Sequence, residues 1–587
     1  MKNFKIFSLF TLLALSSCNI DPEYYSEIAP STFYDSPGRV YQRLASPYIH
    51  VSYNEGMGFN MSPWAMLQEF TTDEVCMPVR GGDWYDGGYY LRPQKHDFTP
   101  TTAAVNSAWQ AVGSGVSKAL DVKGDLEKFV DFEKMFPEDP QGTKENIFAQ
   151  LDVLMASCYL RGLDLFGGCT IYTSIDEKEL KPRSTDKELF DHIEKLLKTS
   201  LPKLPKKSSL TAIQTGNVDQ GVAASLLARL YFNAESYIGV NMFDECATLC
   251  QDIIDNKYGT YELANSFQEI FGWGNETCGE IIWTVPSDNA YRKLDAGNYV
   301  HSLHYNSKVT LGNMEMQAYN GHCLMPGVDG NGKSYFADKP TTAAEMAKDY
   351  ITPGGTPGVS ENATKLGSPF RKFEDADLRK QQYQYKGEGK YTGMFLVGFQ
   401  QGCVGDREYK NTEISLVDQL AYMKQHGMAS FKEGIDYAEE NSGIRLMKFS
   451  PVPTSADKSL WYNPDRPIIR LTEIHYMLAE CKFRKGDKSG AAKIINDIRK
   501  RYFENNNDTN PVPADFDEYR LLDEWMIEFL GENRRRTDLI RWNKYTTEPW
   551  FAHEADGIDK AYYKRFPISI EAMGANNLLE QNPGYAK

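Results

Sequence analysis

Apolar positions along this chain recur mostly at helical spacing. Ile147, Leu151, Leu154, Met155 and Cys158 share one face of a helix that Gly167-Gly168 stops. Val222, Leu226, Leu227, Leu230 and Tyr231 stripe a second helix. A loop over 236–241 joins it to a third, carrying Phe243, Ala247, Cys250, Ile253 and Ile254. Near the C-terminus the segments 474–483 and 491–498 form a further pair across Gly486-Asp487, where Ala479, Ala491 and Ala492 permit close approach. Helix hairpins with small residues at the crossing look like tetratricopeptide units, here irregularly spaced, and such arrays present surfaces to other molecules.

From about 287 to 465 the periodicity fades. Gly, Pro, Asn and Tyr become frequent, and turn pairs such as Asp329-Gly330, Pro353-Gly354 and Pro357-Gly358 punctuate the chain. A loop-rich insert of this length in a folded protein points to binding. The fold class predicted is therefore mainly α: a tetratricopeptide-like helix-hairpin scaffold with a large loop-rich ligand-binding region. The scaffold is divided into an N-terminal part over 38–286 and a C-terminal part over 466–587, flanking the insert at 287–465.

The first residues read as an address. Lys2 and Lys5 precede an apolar run over 6–15, shorter than the about 20 residues that a membrane-spanning helix needs. The run ends in Leu15-Ser16-Ser17-Cys18, which looks like a bacterial lipobox, where the Cys thiol takes a diacylglyceryl group before cleavage. Residues 1–17 are accordingly read as a lipoprotein signal peptide, Cys18 as the lipidation site, and 18–37 as a tether. An ordinary signal peptide with a chance Cys is the competing reading. Beyond Cys18 nine cysteines remain, an odd number for an exported chain. Cys246 and Cys250 lie one helical turn apart, a poor geometry for a disulfide. No CxxC pair suggests zinc or redox chemistry, so most of the nine are expected to be small buried apolar residues.

Composition removes several classes of activity. The 587 residues carry 64 Lys plus Arg against 80 Asp plus Glu, a formal charge of −16, which argues against a nucleic-acid partner because phosphate affinity comes from cations. With 41% apolar and 25% charged residues the chain can bury a core. No Gly-x-Ser-x-Gly elbow is present, and His553-Glu554 does not reach a second His four residues on. Gly327 to Ser334 matches phosphate-loop spacing, yet Pro326 and Pro340 leave no strand before it and no helix after it. In the same stretch Asp329, Asn331 and Asp338 could offer oxygen ligands to Ca²⁺, but the acid that closes a twelve-residue calcium loop is missing. His301, His304 and His322 are read as polar contacts rather than a zinc site. No catalytic residue, metal or cofactor is expected, with Ca²⁺ kept only as an alternative.

The sharpest local feature is Arg80-Gly81-Gly82-Asp83-Trp84-Tyr85-Asp86-Gly87-Gly88-Tyr89-Tyr90, preceded by Thr72-Asp73-Glu74. Four glycines allow sharp turns that can hold aromatic faces outward. A sugar ring packs its axial C–H face on an aromatic ring, while its equatorial hydroxyls take planar partners such as Asp, Asn and Arg. Trp84 and Tyr85 are thus candidate stacking residues, and Arg80, Asp83 and Asp86 candidate hydroxyl partners. A second cluster, Tyr299, His304, Tyr305 and Tyr319-Asn320, has the same character. The competing reading packs both clusters into the core.

With these pieces in place, the chain resembles the SusD/RagB family of outer-membrane lipoproteins. The lipobox and the 72–90 stretch match, as do Leu160-Arg161-Gly162-Leu163-Asp164-Leu165-Phe166-Gly167-Gly168 and Ala224-Ser225-Leu226-Leu227-Ala228-Arg229-Leu230-Tyr231. Further on come Pro467 to Glu473, Leu478-Ala479-Glu480, Glu532 to Trp542, and Gln581-Asn582-Pro583-Gly584-Tyr585. The resemblance implies four tetratricopeptide-like hairpins, a ligand face of loops, a cell-surface location, and a SusC-type TonB-dependent transporter as partner. Glycans are the cargo it implies, with peptide capture as in RagB-like relatives the main alternative. A glycoside hydrolase with an unrecognised carboxylate pair and a purely structural surface protein are the other readings. Glu528, Glu532, Asp538, Arg534, Arg535, Arg536 and Arg541 are read as a charge network tying the last long helix to the body.

Overall fold

A computed structural model describes residues 30–55, 62–213, 215–287, 301–307, 318–325, 365–387, 389–416, 435–436, 438–449, 464–550 and 553–586. Cys18, Tyr299 and the turn carrying Asp329, Asn331 and Asp338 lie outside the described residues.

The helical stripes read from the sequence become a stack of packed helices. Its members are α1 (Pro37–Glu55), α2 (Pro63–Glu69), α3 (Ala103–Phe129), α4 (Pro140–Phe166), α5 (Asp186–Ser200), α6 (Gln220–Phe232) and α7 (Phe243–Ile254). They are followed by α8 (Leu471–Arg484), α9 (Lys488–Arg499), α10 (Glu518–Phe529) and α11 (Arg535–Arg541). Neighbours pack in the order α3 on α4, α4 on α5, α6 on α7 and α8 on α9, and α7 also packs on α8, so the two scaffold halves meet directly.

Local chemistry sets the helix ends. Asp139 accepts from the Gly142 amide at 3.0 Å with Pro140 in the first turn, so α4 starts capped. Thr185 and Glu188 cap α5 reciprocally, and Asp487 accepts from the Gly490 amide at 2.9 Å to start α9. At the far end of α4 the chain reverses at Gly167 with φ +81°, and a Cβ on Gly168 would lie 1.6 Å from the Ser184 carbonyl oxygen. Ala479, Ala491 and Ala492 are buried at the α8–α9 crossing, as the small residues there predict. The expected loop after α6 instead begins with a one-turn helix, Ala234–Ile238, ended by a left-handed Gly239. Among the described residues no helix is long and apolar enough to cross a membrane.

The described parts of the insert form short antiparallel ladders with little helix. The strands are β1 (Val75–Cys76), β2 (Ile281–Val285), β3 (Cys323–Leu324), β4 (Gln384–Gly387), β5 (Lys390–Thr392), β6 (Phe395–Leu396), β7 (Gly398–Val404), β8 (Glu413–Leu416), β9 (Arg445–Leu446) and β10 (Arg466–Arg470). They pair as β1 with β3, β2 with β10, β4 with β5, β6 with β9, and β7 with β8. The β1–β3 ladder fastens the insert to the N-terminal scaffold, and β2–β10 joins the two scaffold halves directly where the insert leaves and returns.

Beneath the ladders lies the charge network expected from the Arg534–Arg541 run. Arg535 bonds Asp73 at 2.7 Å, Arg536 bonds Asp164 at 3.1 Å, and Arg541 bonds Glu480 at 2.7 Å. Arg534 reaches both Glu473 at 3.1 Å and Asp538 at 2.9 Å. Apart from the part-exposed Arg534, these side chains are almost fully buried, so each charge depends on its partner for solvation. The sequence pieces that carry the family resemblance thus meet in space as ion pairs linking the turn at Asp73, α4, α8 and α11.

One acidic pair in this region has only a distant cation, the Arg535 guanidinium 3.9 Å from Glu74. Glu69 and Glu74 are both buried; Glu69 accepts from the Arg534 amide at 3.0 Å, Glu74 accepts from the Gly531 amide at 3.3 Å, and the second oxygen of Glu69 has no donor. Burial, chiefly, pushes the Glu69 carboxyl up to about 7 and Glu74 well above its ordinary value. The native state then keeps a proton that the unfolded chain releases near pH 4.3. That contribution is fully present below the unfolded value and lost as pH rises through about 7. Glu69→Gln, which keeps the shape of the protonated acid, is expected to match wild type in thermal denaturation at pH 5 and to exceed it at pH 8.5. Parallel curves across that range contradict the assignment.

Candidate functional site

The aromatic loop folds as a tight reversal closed by mutual amide–carbonyl bonds between Arg80 and Asp83, both 3.0 Å. Trp84 and Asp86 follow at φ +66° and +41°, conformations that side chains other than glycine seldom adopt. Strain of about 1–3 kcal/mol at such positions persists only where neighbours over-determine it. Here the Trp84 indole N–H donates to the Tyr319 carbonyl at 3.0 Å, and the ring meets Tyr90 and His301 edge-on at 5.7 and 5.6 Å. Trp84 is half-buried among aromatic neighbours, whereas Tyr85 beside it is 54% exposed.

The second aromatic cluster joins the first, as only the tertiary fold could arrange. The Tyr305 hydroxyl donates to Asp83 at 3.0 Å, and Arg407 forms an ion pair with the same carboxylate while its Nη1 donates to the Arg80 carbonyl at 2.9 Å. The Arg407 guanidinium also lies 5.5 Å from the Tyr305 ring centre. Tyr319 is exposed, its ring 5.5 Å from that of His301. The result is an outward-facing patch of Trp84, Tyr85, His301, Tyr305 and Tyr319, edged by the half-exposed Asp83, the exposed Asp86 and the part-exposed Arg407. Aromatic faces supply apolar stacking area, while the carboxylates and guanidinium supply oriented acceptors and donors.

Two residues predicted for this patch do not belong to its surface. Arg80 is only 1% exposed, and its guanidinium donates to the carbonyls of Glu439 at 2.6 Å, Ser442 at 2.8 Å and Gly321 at 3.2 Å. Asn320 is fully buried, donating to the Glu440 carbonyl at 2.8 Å and accepting from Arg445 at 2.7 Å. A polar side chain flanked by glycines or tyrosine looks the same in sequence whether it faces solvent or backbone carbonyls; here the carbonyls won. Both residues brace the patch from below. Arg407 and His301 were missed as members of it. Arg407 lies more than 300 positions from Asp83 and carries no local signal, while His301 looks in sequence like an ordinary polar contact.

His304 and His322 are buried and stand apart from the surface. His304 Nε2 lies 3.2 Å from a Glu440 oxygen, and burial lowers the His322 imidazole well below its usual range. Among the described residues the group with metal-ligand proximity is instead His96, His553 and Asp556, whose candidate ligand atoms lie within 4.8 Å of one another. His96 Nδ1 is 2.6 Å from Asp556, and its Nε2 is 2.9 Å from the Thr71 carbonyl oxygen. Among the described residues, hollows elsewhere include an apolar groove of about 580 Å³ beside Trp109, Tyr159 and Tyr172, and one of about 530 Å³ beside Trp273 and Lys390.

A scaffold of stacked helix hairpins carrying a loop-built aromatic face defines a class of surface-binding folds, and comparison with known proteins gives that class its family. A model of the SusD family matches residues 279–585, so the chain belongs to the SusD family. The starch-binding protein SusD of Bacteroides thetaiotaomicron is 24% identical over 452 residues, covering 74% of this chain and 72% of that protein. The SusD-like protein P25 of Formosa agariphila is 20% identical over 98% of both chains. Among solved structures, surface glycan-binding protein A of B. thetaiotaomicron in complex with laminarihexaose superposes with a TM-score of 0.61 at 15% identity, covering 93% of this chain and 99% of that one. A SusD superfamily protein of Parabacteroides distasonis gives 0.63 at 16% identity, with coverage of 93% and 99%.

Proposed function

We propose that this protein is a non-catalytic, surface-exposed glycan-binding lipoprotein that captures oligosaccharide and delivers it to a SusC-type TonB-dependent outer-membrane transporter. The observation that carries the reading is the convergence of Trp84, Tyr85, Tyr305 and Tyr319, from segments over 200 residues apart, on one patch with the Asp83–Arg407 pair. Trp84 and Tyr85 stack on sugar rings; Asp83 and Asp86 accept from hydroxyls, and Arg407 donates to them. Membership of the SusD family, with a relative named for starch binding and a structural neighbour holding laminarihexaose, supports glycan as the cargo. Anchoring to the outer membrane through Cys18 follows from the lipobox.

Isothermal calorimetry against α- and β-glucan oligosaccharides tests the reading. Tyr85 makes few internal contacts, so Tyr85→Ala removes a stacking face and spares the loop. Loss of one ring face, about 1.5 kcal/mol, corresponds to roughly tenfold weaker binding. A wild-type protein that binds no glycan, or one that releases reducing ends from the glycan it binds, overturns the proposal. Binding of peptides in place of glycans would give the site to the RagB-like alternative.

A further inference from the structure

Directly beneath the aromatic patch, β1 and β3 pair antiparallel in a two-residue ladder that sets Cys76 opposite Cys323. Their sulfurs are 3.6 Å apart and both side chains are buried. Facing residues of antiparallel strands have Cα separations of about 4.5–5.5 Å, within the span that a disulfide bridges. Gly443, at φ +89°, makes the space: a Cβ there would fall 2.2 Å from the Cys323 sulfur. Cys246 and Cys250 offer a contrast within the same molecule. Their sulfurs are 3.9 Å apart, yet they sit one turn apart on α7, where the backbone holds them poorly for a bond.

The electrostatics around Cys323 are unusual for a buried thiol. Arg80 and Arg445 are both fully buried and donate to backbone carbonyls and to Asn320; among the described residues neither forms an ion pair with a carboxylate. A desolvated guanidinium needs a negative partner. The hydrogen bond from the Cys76 thiol and the two guanidinium groups hold the Cys323 thiol below its usual range. The thiolate is the form that exchanges disulfides.

We infer that Cys76 and Cys323 are a redox pair that closes to a disulfide, cross-linking the strand that leads into the Trp84 loop to the segment that carries Tyr319. The oxidant is a small-molecule or protein disulfide. The Cys323 thiolate attacks one of its sulfurs and expels the other half as thiolate, forming a mixed disulfide. Cys76 then loses its proton and attacks the Cys323 sulfur, releasing the second thiolate; two cysteine thiols are oxidised and one disulfide is reduced. Closure removes the acidic Cys323 thiol that lies beside Arg80 and Arg445, which favours reopening by thiols.

The test needs no glycan and stands apart from the proposed cargo. The full chain is unfolded and refolded in oxidised glutathione, acid-quenched, alkylated and mapped by mass spectrometry. The expected result is a linked Cys76–Cys323 peptide, with two fewer free thiols per chain, and Cys246 and Cys250 both alkylated. Cys76→Ser should abolish the linked peptide and leave Cys323 alkylated or glutathionylated. Adding reduced glutathione to the folded, oxidised protein should restore both thiols. Recovery of Cys76 and Cys323 as free thiols after refolding in oxidised glutathione alone, or linkage of either to another cysteine, overturns the inference.

Discussion

Glu528→Gln is expected to destabilise the protein by about 3–5 kcal/mol, the cost of breaking a buried ion pair from one side. The Glu528 side chain on α10 is buried and accepts from Arg470 at 2.7 Å, Arg379 at 2.9 Å, Arg501 at 3.3 Å and the Tyr502 hydroxyl at 2.8 Å. Burial alone would raise its pKa, but the three guanidinium groups outweigh that and hold the carboxyl at about 2. Removing the charge leaves three desolvated cations sharing only Glu280, Glu532 and Asp377. For a chain of this size the loss lowers the melting temperature by ~3–4 °C and shifts the denaturant midpoint with little change in slope.

The pH dependence fixes the mechanism. A carboxyl depressed in the folded state stabilises above its unfolded value near 4.3, and that stability fades as pH falls towards 2. Wild type and Glu528→Gln should therefore differ most at neutral pH and converge in acid, the reverse of the Glu69→Gln pattern. Asp191→Asn is the control. It breaks the exposed Lys187–Asp191 pair at 2.6 Å and is expected to cost under ~0.5 kcal/mol. Equal losses in Glu528→Gln and Asp191→Asn would show that burial of the network is not what gives it weight.

The second large effect is on binding. Trp84→Ala is expected to weaken the best glycan by about 10–100-fold, the equivalent of ~1.5–3 kcal/mol for a lost aromatic face. The indole also holds the patch together through its N–H bond to the Tyr319 carbonyl and its contacts with Tyr90 and His301. Trp84→Phe keeps a ring but removes that donor, so its affinity should fall between wild type and Trp84→Ala. Calorimetry separates the cases, and circular dichroism confirms that the scaffold is intact. A Trp84→Ala protein that retains wild-type affinity for its best glycan removes Trp84 from the site.

How much of this was legible beforehand differs from element to element. The α4 and α6–α9 helices were readable because burial against a neighbouring helix imposes a 3.6-residue apolar period on the chain itself. The Arg534–Arg541 run was readable as structural because several cations beside acids on a short helix face suit an ion-pair network. Its partners Asp73, Asp164 and Glu480 could not be assigned, since each lies in a different helix or turn. The Trp84-Tyr85 loop announced itself through its glycines. Which of its polar neighbours face outward did not, and Arg80 and Asn320 turned inward to bind carbonyls that belong to other segments.

The amino-acid order by itself determined the helix-hairpin scaffold, the break in pattern across the insert and the aromatic loop, because each is written in residues close along the chain. Tertiary structure alone decided that Asp83, Tyr305 and Arg407 form one bonded unit, that Arg80 supports the patch from inside, and that Cys76 faces Cys323. Those contacts join segments more than 200 residues apart. Their energy comes from burial and directed hydrogen bonds, which depend on distance in space and leave no period in the sequence.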